Sequence, residues 1–258
     1  MPREGSTKRR TGGSRSPRSP RRAQMRFFVS GRRVVLEAIA AGRASEVLMP
    51  RGAADSAVAA AAEQAGVPVR SSDRADDEVA ARVELPSELS ERDLASRGFT
   101  EDAIVVVLDG ITDPQNLGAA ARSAEAAGAE VLVTRDRRAA PTTAAAVRAS
   151  AGALVHLPVA RVANIPRALV RLQENGFTVL GLDEDAPRSI YDDAVPEGRI
   201  ALVVGAEDRG LSRLVRERCD ELLALPMRGR VLSLNASAAL AAALYGSVLR
   251  SRPRRSGR

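Results

Sequence analysis

Three polar residues stand in loops that follow or precede runs of small and apolar residues. Asn116 lies in DPQNLGAAARSAEAAGA (113–129), Glu207 in VVGAEDRGLS (203–212) and Asn235 in LPMRGRVLSLNASAALAAALYG (225–246). Arg122, with only Glu125 as a nearby opposite charge, shares the first of these stretches. Its guanidinium suits either a solvated surface position or a phosphate or substrate ligand at the edge of a site. A carboxylate between Gly205 and Gly210 can orient a hydroxyl, hold a cation, or sit as a surface acid. Ser233 and Asn235 precede a helix that is apolar all round and are ready caps for it. The single histidine, His156, falls in the apolar run GALVHLPV and reads as a core residue. The single cysteine, Cys219, reads as a small core residue and excludes a disulfide framework or a cysteine-based zinc site. Acid–base work therefore falls to Asp, Glu, Arg or backbone groups. GAEDRGLS has the glycine skeleton of a phosphate loop but Leu211-Ser212 in place of Lys-Ser/Thr, and no GxGxxG follows the first strand of this block.

The elements that must position these residues alternate. AIVVVLD, AEVLVT, GALVHLPV, FTVLGLD, RIALVVG and ELLALP read as buried strands. Helical patterns lie between them over 114–127, 142–150, 164–175, 212–219 and 235–249. Near-continuous Val/Leu strands separated by helices predict a parallel sheet covered on both faces. Ligands of such sheets sit beyond the carboxyl ends of the strands, here after 109, 134, 183, 205 and 226. An earlier block, 26–84, reads as a small α/β domain. Its helix runs from Gly31 to Ala41, SEVLMP and VPVRSS are strands, DSAVAAAAEQAG is a helix, and another helix starts at Asp73. The polar segment 85–103, with Pro86 and Gly98, reads as a linker.

The chain has 258 residues and a net charge of +7, concentrated in its tails. Residues 1–26 are net +8 and 250–258 net +5, which leaves 27–249 net −6. Residues 1–25 and 251–258 are thus expected to be disordered basic tails attracted to polyanions. Aromatic residues are 2% with no Trp, so RNA or DNA binding cannot rest on a broad stacking platform. No secretory h-region and no bilayer-length apolar run is present, which predicts a soluble cytoplasmic protein.

The three loops, in this order, resemble the motifs of the SpoU (TrmH-type) family of RNA ribose 2′-O-methyltransferases over roughly 104–249. The 26–84 block is similar to the small RNA-binding domain of the family's RlmB-like branch, whose members methylate a guanosine of 23S rRNA. It departs from that branch in having Ser30-Gly31-Arg32-Arg33 for Tyr-Gly-x-His, and no His-Gln-Gly in 85–103. Periodicity alone describes an ordinary doubly wound sheet. The resemblance implies instead a SPOUT-type trefoil knot over 104–250, S-adenosyl-L-methionine as cofactor, no metal, and a homodimer with the active site at the subunit interface. It places Arg122 beside the target nucleotide, with Asn116, Glu207 and Asn235 positioning the nucleotide, Arg122 or the facing subunit. It assigns Gly205, Leu225, Leu234, Thr134, Met227 and Ser233 to the cofactor. A tRNA or antibiotic-resistance rRNA target, or a non-catalytic ribosome-assembly role, are the alternatives.

Overall fold

The computed structural model describes residues 25–52, 55–72, 78–192, 196–230 and 233–249, and the basic tails lie outside them apart from Met25. Two sheets organise the chain. The larger has seven strands, all paired in parallel. They are β5 (Leu89–Ser90), β6 (Ile104–Asp109), β7 (Val131–Arg135), β8 (Val159–Val162), β9 (Phe177–Leu182), β10 (Arg199–Gly205) and β11 (Glu221–Leu223), in the order β11-β9-β10-β6-β7-β8-β5.

The Val/Leu strands separate two cores by simple alternation. Ile104, Val106, Leu108, Leu202 and Val204 point to one apolar cluster. Val105, Val107, Ala201 and Val203 point to the other. Each fully buried Val or Leu contributes about 1.5–3 kcal/mol, so both faces must be covered. On the first face lie α4 (Pro114–Ala126), α5 (Ala144–Ala149) and α8 (Ala236–Ala243). On the second lie α3 (Glu91–Ser96), α6 (Ile165–Glu174) and α7 (Arg213–Arg216).

The Ala-rich composition of α4 permits tight helix packing. A Cβ on Gly118 would stand 2.4 Å from the Ala146 carbonyl oxygen of α5, so only glycine allows that approach. Asp113 caps α4 by accepting from the Gln115 N–H, with Pro114 in its first turn.

The smaller sheet has the order β1-β4-β2-β3, made of β1 (Arg26–Ser30), β2 (Ala44–Pro50), β3 (Val69–Ser72) and β4 (Ala80–Glu84). With α1 (Arg32–Ala40) and α2 (Ser56–Gln64) it shares one continuous apolar cluster with the large sheet. Polar contacts reinforce the junction. Arg148 of α5 donates to Ser30 Oγ at 3.1 Å and to Glu78 at 2.8 Å.

Several sequence expectations are corrected. The run GALVHLPV is not one strand. Gly152, at φ 95°, starts a 3₁₀ turn over Ala153–Val155, and the strand begins only at Val159. The apolar run reflects burial of that turn. His156 is consequently not a core residue, since it is exposed and meets Glu37 of α1 at 3.1 Å. Of the helix expected from Asp73, residues 73–77 lie outside the described residues, and Ala80–Glu84 form a strand. There Ala81 and Val83 point inward and Arg82 outward, an alternation too short to be recognised.

The supposed linker 85–103 is part of the seven-stranded sheet and its covering layer. Leu89–Ser90 pair with Ala160–Arg161, and Ser90 with Asp93 forms a reciprocal capping box on α3. These hydrogen bonds to Ser90 hold the Asp93 carboxyl below its ordinary range. Cys219 is partly buried and packs against the second apolar cluster, and burial with the nearby Asp220 pushes its thiol up to about 12. Among the described residues no helix is long and apolar enough to cross a membrane.

Leu94 of α3 is 1% exposed. Leu94→Ala is expected to destabilise the protein by about 2–5 kcal/mol in a denaturant titration. An unchanged midpoint would mean that 85–103 is a detachable connector after all.

Candidate active site

The order of the large sheet reverses between β6 and β10. From β6 the chain builds outward through β7 and β8, whereas β10 lies on the other side beside β9. The crevice at such a switch point, beyond the carboxyl ends of the strands, is where open α/β sheets bind ligands. Asn116 follows β6 on the first turn of α4, and Glu207 follows β10 directly. Asn235 is the N-cap of α8, and its Oδ1 accepts from the Ser237 N–H at 3.0 Å and Oγ at 2.6 Å.

These three side chains meet within one chain. Glu207 Oε1 accepts from Asn116 Nδ2 at 2.9 Å and from Asn235 Nδ2 at 2.5 Å. Asn235 Nδ2 also donates to Asn116 Oδ1 at 3.0 Å. Charge-assisted bonds of this kind are roughly twice as strong as neutral ones. Asn235 has thereby used both of its N–H donors. Asn116 keeps one N–H, and Glu207 Oε2 has no partner among the described residues. The trio thus fixes two helix starts while leaving one donor and one acceptor for a ligand.

Two further groups hold the Glu207 loop. Asp109, 3% exposed at the end of β6, accepts from the Ser212 N–H at 2.8 Å. The Gly210 N–H donates to the Ala206 carbonyl at 2.8 Å, folding the loop back on itself. A Cβ on Gly205 would then lie 2.1 Å from Gly210 C, so the turn itself requires glycine there.

Beside the trio lies a cavity of about 290 Å³. Of the residues assigned to the cofactor, Gly205, Leu225, Met227, Ser233 and Leu234 line it, together with Glu207. Thr134 does not. It is 1% exposed at the end of β7, on the far side of β6 from the cavity. Arg122 is also absent from the lining, is exposed, and makes no hydrogen bond or ion pair among the described residues. Acids from the loop after β9 (Asp183, Glu184 and Asp185) form part of the wall, and Arg216 pairs with Asp183 at 2.8 Å. Sequence reasoning pointed to the loops after 109 and 183 but not to Asp109 or Asp183 themselves. A strand-terminal aspartate in each was the available signal.

Residues 103–245 match the SpoU rRNA Methylase family, more than half of the chain. The chain belongs to this family. It is 40% identical over 171 residues to the 23S rRNA (guanosine-2′-O-)-methyltransferase RlmB of Salmonella typhi, covering 66% of this chain and 70% of that one. The SpoU methyltransferase AviRb from Streptomyces viridochromogenes, solved in complex with the cofactor AdoMet, superposes with a TM-score of 0.74 at 29% identity. That superposition covers 90% of this chain and 92% of AviRb. A structure concerned with 2-OH methylation of C/U34 on tRNA matches at 29% identity and a TM-score of 0.50. It covers 58% of this chain and 96% of its own.

Gly205→Ala is expected to displace loop 206–211, because overpacking against a backbone costs about 1–3 kcal/mol and the loop is the part free to move. Calorimetric affinity for S-adenosylmethionine, the ligand implied by the resemblance, should fall by roughly tenfold. Wild-type affinity would show that the loop does not shape the cavity.

Proposed function

We propose that the protein transfers a methyl group from S-adenosylmethionine to a ribose 2′-hydroxyl of RNA, at a guanosine of 23S rRNA. The observation that carries this reading is the Glu207 carboxylate joining Asn116 and Asn235 at the rim of a cavity with both apolar and acidic walls. The cavity fits the cofactor chemically. Leu225, Met227 and Leu234 offer apolar walls to an adenine ring, and the acids at 183–185 favour groups carrying positive charge. S-adenosylmethionine, when bound, supplies a methyl group already activated on a sulfonium.

The protein's remaining work is alignment and help with one proton. Glu207 Oε2 and the spare N–H of Asn116 are the acceptor and donor left to orient a ribose hydroxyl. Arg122 supplies a planar cation beside the phosphate or the 2′-oxygen and stabilises charge developing on that oxygen. It acts in the site of a second copy of the chain. That it makes no ion pair or hydrogen bond among the described residues supports this, as does the outer side of α8. That helix buries Ala236, Leu240 and Ala243 but leaves Ala238 uncovered, and Tyr245 beyond it is 49% exposed.

The chain would return from β11 at the sheet edge to lay α8 over α4 by threading a trefoil knot. The contacts of α8 with both α4 and β10 support that path. The four-stranded unit would hold the RNA outside the methylated nucleotide. That the tRNA-directed structure leaves much of this chain unmatched favours an rRNA target.

Complementation tests the subunit arrangement. Arg122→Ala and Glu207→Ala chains, each inactive alone, are co-expressed under separate tags and assayed on 23S rRNA with labelled cofactor. In a two-fold dimer with Arg122 acting across the interface, the mixture recovers about a quarter of wild-type turnover, since half of the dimers are mixed and each has one complete site. No recovery, with mixed dimers isolated, would place Arg122 and Glu207 in the same subunit's site.

A further inference from the structure

The loop between β7 and α5 is held by a polar network centred on one buried arginine. Arg161 of β8 is 7% exposed. Its Nε donates to Glu88 Oε1 at 2.9 Å, its Nη1 to the carbonyls of Arg135 (3.3 Å) and Ala140 (2.8 Å), and its Nη2 to Thr142 Oγ1 at 2.8 Å. The Thr142 hydroxyl in turn donates to Glu88 Oε1 at 3.2 Å. The loop backbone is tied at two more points. The Asp136 N–H donates to the Val162 carbonyl and the Ala140 N–H to the Ile111 carbonyl, each at 2.9 Å.

A buried ion pair gains little stability over apolar packing of the same volume. What this one does is fix the shape of 135–142. The shape is a costly one, because Arg138 sits at φ 57°, in the left-handed region that non-glycine residues seldom adopt. The residues carried at its tip are Arg137 and Arg138. Both are exposed, and neither has an ion pair or hydrogen bond among the described residues.

The position of this loop is equally specific. β7 is the hydrogen-bonded neighbour of β6, about 4.8 Å away, and both loops leave the sheet at the same rim. The Ala140–Ile111 bond attaches the loop to the segment that leads into Asp113 and Asn116. Arg135 at its base lies 3.7 Å from Asp109, the residue that anchors the Glu207 loop.

We infer that loop 135–142 is a phosphate clamp, in which Arg137 and Arg138 grip the RNA backbone next to the nucleotide held at Asn116 and Glu207. This rests on the RNA reading of the site and adds to it a contact outside the reacting centre. Arginine suits the role because its planar fork pairs two phosphate oxygens at once. Such contacts set register and orientation and carry no base choice. The buried Arg161–Glu88–Thr142 network is the support that keeps both forks aimed.

Filter binding of the full chain to a 23S rRNA transcript, across a potassium chloride series, tests the clamp. Replacing both residues (Arg137→Ala with Arg138→Ala) is expected to make the slope of log K against log salt shallower by roughly 1.4–1.8, two phosphates' worth. S-adenosylmethionine affinity by calorimetry should be unchanged, because neither residue touches the cavity. The lysine pair (Arg137→Lys with Arg138→Lys) should restore the slope, since it returns both charges. A slope unchanged in the alanine pair would overturn the clamp while leaving the methyltransferase reading intact. Binding is read without turnover, so a wild-type protein that bound RNA but transferred no methyl group would count against the site reading alone.

Discussion

One carboxylate oxygen, Glu207 Oε1, accepts from two amides that the chain brings from 91 residues upstream and 28 downstream. The two amides also meet directly, Asn235 Nδ2 donating to Asn116 Oδ1 at 3.0 Å, so the carboxylate closes a three-membered cluster. Asn235 is committed on its Oδ1 side to capping α8, and Asn116 stands on the first turn of α4. Joining them through one anion makes the starts of two helices and the end of a strand into a single rigid body. The cavity wall continues from the same residues, since Gly205, Ala206 and Ala236 line it on either side of the junction. A shift of the Glu207 loop would move the cavity wall and the Asn116–Glu207–Asn235 cluster together.

The fold places this junction where the strand order reverses. β6 and β10 are buried on both faces, so their ends are held by the two cores together. Asp109, at the end of β6, spends its buried carboxylate on the backbone of Ser212, beyond Glu207. Loops at a switch point diverge and leave a crevice, and this one is closed on one side by α8 lying over α4. The small-residue face of α4, with Gly118 against α5, lets three helices crowd the same region without displacing Asn116.

How much of this the sequence carried depended on the element. RIALVVG reads as a strand over 199–205 and is one, because uninterrupted β-branched and Leu residues need burial on both faces. GALVHLPV carried the same signal for a different reason, since its first half is a buried turn that hides apolar side chains without pairing. The capping box at Ser90 and Asp93 was present in the polar stretch 85–103, yet Pro86 and Gly98 outweighed it. Asn116, Glu207 and Asn235 were visible as polar residues in loops beside apolar strands and helices, but nothing local says that residues so far apart touch. That convergence, and the placement of Leu225 and Leu234 beside it, became legible only through the family resemblance. Thr134 shows the limit of that route, because it lies under the sheet rim and away from the cavity.

The central claim is that Glu207 couples Asn116 to Asn235. A double-mutant cycle of Asn116→Ala and Asn235→Ala, read as single-turnover methyl transfer to 23S rRNA and repeated in a Glu207→Ala background, tests it directly. With Glu207 present the account predicts a coupling of about 1–2 kcal/mol between the two asparagines, as expected for groups sharing one partner. Once the carboxylate is removed, the coupling should fall to what the direct Asn235 Nδ2–Asn116 Oδ1 bond supplies alone, about 0.5 kcal/mol. Additive effects in the presence of Glu207 would contradict the account.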